Sequence, residues 1–151
     1  MLSAMAKTFK FNLQKVLDYR VQLEDQAKLA LAKAVAVHQT QERLVRALEA
    51  AQSAHQEALV KAKSLTAADI WLWRNYQDRL TLDLNQSRIQ ERILAQDVLN
   101  RRAELVEKAK DRKLLDKLKE KQGIRHGIEE SKKEQAGYDE MATLRHQPQA
   151  V

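Results

Sequence analysis

Cysteine is missing from these 151 residues, proline occurs once (Pro148), and the three glycines, Gly123, Gly127 and Gly137, all fall in the last thirty positions. Without cysteine there is neither a disulfide nor a thiolate metal ligand, which fits a reducing compartment. With almost no turn former before residue 123, the chain has very few places to reverse direction. No apolar run approaches the ~20 residues that a membrane-crossing helix needs. The N-terminal MLSAMAKTFKF lacks the continuous apolar core of a secretory signal, and Met5 is an alternative start. The expected location is the cytoplasm, peripheral to the inner membrane only through partners.

The chemical inventory is equally thin. Three scattered glycines cannot supply a dinucleotide fingerprint, and no GxxxxGK[ST] loop is present to cradle phosphates. His38, His55, His126 and His146 show no HxxxH or HxxH spacing, so no metal site is expected. Glu129-Glu130 sits on a helix expected to be exposed, without the concave burial that tunes a catalytic acid or base. Neither enzymatic activity nor a cofactor is expected.

What remains is helix-forming material. Charged residues make up 32% and aromatics only 5%, while 44% are hydrophobic at regular spacing. That mixture belongs to long helices and coiled coils, and its apolar share argues against disorder. From Leu13, taken as heptad position a, every d position to residue 65 is apolar: Val16, Leu23, Ala30, Val37, Leu44, Ala51, Ala58 and Leu65. The a positions are Leu13, Arg20, Ala27, Ala34, Gln41, Leu48, His55 and Ala62, and the e positions add Leu17, Leu31, Val45 and Leu59. This period predicts a left-handed supercoil with an a/d seam. Arg20, Gln41 and His55 on that seam set register rather than bind a ligand.

Reversal is predicted within Lys63–Asp69, where Thr66 can cap the next helix with Asp69 three residues on. Asp69 also places negative charge in the first turn. An unbroken helix paired with a second chain is the competing arrangement. Beyond the turn, Ile70, Trp73, Leu80, Leu84, Leu94, Val98, Leu105 and Leu115 follow one register, interrupted by Ser87, Arg101 and Lys108. Leu72, Leu82, Ile89 and Ile93 form a second apolar face, either imperfect packing or a surface for another protein.

The expected fold is therefore all-α, a long antiparallel two-helix coiled-coil hairpin forming a single domain over residues 1–151. Helix 1 is expected over about 10–64, the turn over about 65–68, and helix 2 over about 69–145 with weakening at 123–127. Paired positions should sum to about 134, giving a rod of ~80 Å. Residues from about 123 to 145 should then overhang, ordered mainly by a partner. A monomer is expected, with weak self-association through spare surfaces.

The net charge of +6 is unevenly spread. Residues 101–133 hold 12 basic and 7 acidic side chains, against 4 and 5 in residues 66–100. In a hairpin this basic excess joins that of residues 1–65 near the termini, as a solvated surface or as an electropositive end meeting an acidic partner. Nucleic acid is not the expected partner: Asp111, Asp116 and Glu120 interleave the basic stretch from Lys108 to Lys121.

Both ends of the chain resemble a known family. The start reads Phe9-x-Phe11-x-Leu13-x-x-Val16-Leu17-x-x-Arg20, the basic stretch Arg112-Lys113-Leu114-Leu115-Asp116-Lys117-Leu118-Lys119-Glu120-Lys121, and the ending Glu134-Gln135-x-x-x-Asp139-Glu140-x-Ala142-x-x-Arg145. In order and spacing these are similar to the opening, basic and closing motifs of the flagellar FliJ family. The resemblance implies a soluble part of the flagellar type III export apparatus, an antiparallel coiled coil similar to the central stalk of rotary ATP synthases. Such a hairpin enters the pore of the hexameric export ATPase, promotes ring assembly and connects the ring to the membrane export gate; some members also handle export chaperones. On that pattern Phe9, Phe11, Arg20, Lys113, Lys117, Asp139 and Glu140 form the ATPase-contacting end, unless they merely close and cap helices. The aromatic segment around Trp71, Trp73 and Tyr76 departs from the family pattern and is assigned to the hairpin tip or an export-gate contact. A virulence-type secretion stalk and a generic coiled-coil scaffold or chaperone are the alternatives.

Overall fold

The structure is a computed structural model, and it describes residues 8–146. Two helices make up the fold: α1 (Gln14–Lys61) and α2 (Ala67–Arg145). They run antiparallel as a hairpin. Residue numbers of side chains in contact across the pair add to a nearly constant value, from 128 for Gln41 with Ser87 to 137 for Glu49 with Arg88.

The reversal needs neither glycine nor proline, because a capping box starts α2. The Asp69 amide donates to Thr66 Oγ1 at 3.1 Å, and the Thr66 amide donates back to Asp69 Oδ2 at 3.0 Å. Two of the amides that a helix start leaves unpaired are thereby satisfied, with aspartate in the place usually held by glutamate. Hydrogen bonds from Thr66 hold the Asp69 carboxyl below its ordinary pKa of 3.8, the backbone bond first and the side-chain bond second. α1 opens on a turn in which the Gln14 amide donates to the Phe11 carbonyl.

The predicted register of α2 matches the covered face: Leu80, Leu84 and Val98 are buried, and Ser87, Arg101 and Lys108 lie on the same half-buried stripe. That of α1 is rotated. The covered stripe runs along a and e, not a and d. Leu17, Ala27 and Ala34 are buried, whereas the d-position residues Val16, Val37 and Leu44 are 41%, 52% and 47% exposed. The e positions include Glu24, His38 and Gln52, which tolerate cover because each meets a polar group of α2: Arg112, Glu91 and Thr81 respectively. A polar side chain can face a helix interface when its partner is already there.

The chain divides into two compact units. The described residues up to Glu24 and from Lys108 onward form a termini-bearing unit, and Asp25–Glu107 form a turn-bearing unit. In the first, Phe11 and Leu17 are buried and Glu24, at 6% exposure, is the buried charge. In the second, Leu84 is the most deeply buried large side chain, at 2%.

Candidate functional site

The motif residues of the termini-bearing unit fall into two groups. Phe9 and Arg20 meet α2, and Phe11 is buried. The Phe9 ring lies 5.5 Å from the His126 ring in a tilted contact and faces Gly123. Arg20 Nη1 donates to Asp111 Oδ2 at 3.2 Å. One heptad position on, the Arg112 guanidinium grips both Glu24 oxygens through Nε and Nη2 and donates from Nη1 to Asp116 Oδ2 at 2.6 Å. This two-pronged geometry is the strong form of an ion pair. It raises the already high pKa of Arg112, through Glu24 first and Asp116 second.

Lys113, Lys117, Asp139 and Glu140 are exposed instead. Asp139 Oδ1 accepts from Gln135, and the Asp139 carbonyl accepts from Thr143 Oγ1 at 2.8 Å. From Ser131 to the last described residue every position is exposed, and α2 is assigned as helix through Gly123, Gly127 and Gly137.

A ladder of cations begins at Lys113 and runs past the basic motif to Arg125. Lys113, Lys117, Lys121 and Arg125 follow at intervals of four, so one ridge of α2 carries four successive cations. All four are exposed, and among the described residues none of them makes an ion pair. Elsewhere the chain sets opposite charges at this spacing: Arg46 with Glu42, Lys61 with Glu57, Arg79 with Asp83, Arg101 with Asp97. Like charges four apart oppose the helix. Beside the ridge, Leu114, Ile124 and Ile128 are each more than half exposed.

At the turn the aromatic residues divide. Trp73 is half-buried, donating its indole N–H to the His55 carbonyl at 2.9 Å, while His55 Nε2 lies 2.9 Å from the Trp73 carbonyl. A carbonyl only accepts, so His55 carries its proton on Nε2 here. The two rings stack at 4.6 Å, and Tyr76 meets the imidazole edge-on at 4.7 Å. Trp71 takes no part: it is 64% exposed, next to Leu72 at 60%. Further along, Leu82, Ile89 and Ile93 are each more than half exposed. At 100° per residue they lie roughly opposite the buried Leu84 and Val98.

Among the described residues, the metal-ligating side chains that come together are His38, Glu42 and Glu91, with ligand atoms within 4.8 Å of one another. Paired-histidine spacing could not reveal this group, because one member comes from the other helix. His38 Nδ1 lies 3.1 Å from Glu42 and Nε2 2.7 Å from Glu91. The two carboxylates thus address opposite edges of the imidazole ring. No helix among the described residues is long and apolar enough to cross a membrane.

Fold and surface together define a coiled-coil hairpin whose polar chemistry either clasps its own helices or faces outward. A family model described as flagellar FliJ protein matches residues 9–150, and the chain belongs to that family. Membership makes it a component of the flagellar protein-export apparatus. No curated protein and no solved structure matches the chain.

Proposed function

We propose that this protein is a non-enzymatic stalk of the flagellar type III export apparatus, acting in the cytoplasm. It binds the hexameric export ATPase and couples it to the membrane export gate, and it also receives export chaperones. The observation that carries this reading is the extent of the family match, which runs through both helices and includes the opening, basic and closing motifs. Phe9, Phe11 and Arg20 shape the ATPase-binding end by fixing the start of the chain on α2, and Lys113, Lys117, Asp139 and Glu140 present its contact surface. At the turn, Trp73 and Tyr76 fix the tip through His55, leaving Trp71 to contact the gate.

The test is to add the purified protein to its cognate export ATPase. Hexamer formation and ATP turnover should both rise; no change in either would sink the stalk reading. Trp71→Ala should leave that stimulation intact while weakening capture of the gate protein about tenfold, as loss of an aromatic anchor does. Unchanged capture would remove the tip from the gate interface.

A further inference from the structure

We infer that the Lys113–Lys117–Lys121–Arg125 ridge, with its apolar flank, is the docking surface for an acidic amphipathic segment of a partner protein, which we identify with the export ATPase. The identification rests on the stalk reading; the acidic character of the partner rests on the surface itself.

Three observations support that chemistry. First, the four cations stand at successive i+4 positions and none makes an ion pair among the described residues, although this chain pairs opposite charges at that spacing repeatedly. A helix needs no such ladder for its own stability, since like charges at this spacing work against it. Second, the nearby carboxylates do not pair with the ridge among the described residues: Asp111 is held by Arg20, Asp116 by Arg112, and neither Glu120 nor Glu129 makes an ion pair. The Arg112 clasp, with Glu24 on α1, fixes the rotation of α2 so that the ridge faces outward. Third, Leu114, Ile124 and Ile128, at 68%, 58% and 52% exposure, lie between and beside the cations.

Together these make an amphipathic strip whose positive side calls for carboxylates and whose apolar side calls for aliphatic groups. An acidic helix supplies both on one face. A nucleic acid would supply the charge but leave the three aliphatic side chains against phosphates. Charge complementarity of this kind governs encounter rate and salt sensitivity.

The experiment uses the full chain and the cognate export ATPase. Lys113→Glu/Lys117→Glu/Lys121→Glu reverses the ridge at exposed positions. Lys33→Glu/Arg43→Glu/Arg92→Glu changes net charge equally at exposed positions of the turn-bearing unit. Circular dichroism should show both variants as helical as the parent. The ridge variant should bind the ATPase about tenfold or more weakly at low salt, with a flattened salt dependence, and the control within about threefold of the parent. Equal binding by the ridge variant and parent would overturn the ridge assignment while leaving the stalk reading intact. Failure of the parent itself to bind the ATPase would sink both. Ridge-dependent retention on RNA or DNA at physiological salt, with ATPase binding unchanged, would overturn the acidic-protein partner.

Discussion

The two units of this hairpin are built from the same pair of helices but are held by a different balance of chemistry. In the termini-bearing unit the helices are joined by full charges: Arg20 with Asp111, and Arg112 with the buried Glu24. In the turn-bearing unit one such pair, the exposed Arg88 with Glu49, stands among other contacts: Gln41 donates to the Ser87 carbonyl, His55 and Trp73 stack and share bonds, and His38 reaches Glu91. The charge balance differs in the same sense. By sequence the first unit has 15 basic and 10 acidic residues and the second 12 and 11, so nearly all of the net +6 lies with the termini. Their outward surfaces differ accordingly, with a cationic ridge on one and the exposed residues Trp71, Leu72, Leu82, Ile89 and Ile93 on the other. In the termini-bearing unit the ion pairs engage Glu24, Asp111 and Asp116 and leave Lys113, Lys117, Lys121 and Arg125 outside.

The sharpest way to break this comparison is to empty the packing of the turn-bearing unit. Leu84→Ala should cost about 3 kcal/mol in thermal or urea unfolding, as a fully buried leucine does, whereas Leu82→Ala should cost under about 0.5 kcal/mol. Similar losses would mean that Leu82 packs as Leu84 does. In the other unit Glu24→Ala removes the carboxylate that Arg112 grips with two donors. It should lower the melting temperature by about 5 °C, with little dependence on salt because Glu24 is buried. His38→Ala, in the half-buried cluster of the turn-bearing unit, should lower it less.

The turn itself gives a smaller effect. Thr66→Ala should destabilise by about 1 kcal/mol through the lost cap. Because the Asp69 pKa is lowered on folding, its contribution is fully present above pH 3.8 and is lost as pH falls through the lower folded value. An acid titration of Asp69→Asn should therefore lack the part of the parent's acid-induced loss that belongs to this cap. A cap contribution already lost above pH 3.8 would contradict the mechanism.

The smallest expected effect is at the glycines of α2. A methyl group at Gly127 or Gly137 meets nothing within 4 Å, so alanine there should add about 0.8 kcal/mol of local helix stability. Amide exchange in residues 127–145 should slow while the melting temperature stays fixed. At Gly123 the new methyl would touch the Phe9 ring at 3.6 Å, an ordinary contact, so the same gain is expected with the ring kept in place.

Much of this was readable in the residues. The all-α hairpin follows from sustained apolar periodicity with one plausible reversal, and the capping box from Thr66 and Asp69 alone. The α2 register survives three polar interruptions because Leu80, Leu84 and Val98 fix its buried side. The α1 seam was misread, since apolar side chains at a, d and e make a stripe wider than one interface. Every d position is apolar, whereas e includes Glu24, His38 and Gln52, which are covered because α2 supplies their polar partners. Of the candidate contacts, Lys113 and Lys117 were visible as motif positions. That they begin an unpaired ridge continuing to Lys121 and Arg125 depends on which neighbouring carboxylates are already engaged.

Sequence by itself therefore determined that the chain is helical, reverses once and carries its basic excess near the termini, because propensity, periodicity and charge are local properties. Only the tertiary structure decided which edge of the α1 stripe is covered, that Trp73 is engaged while Trp71 is exposed, and which cations remain unpaired. Those outcomes depend on the groups that the facing helix presents, and no reading of one helix at a time contains them.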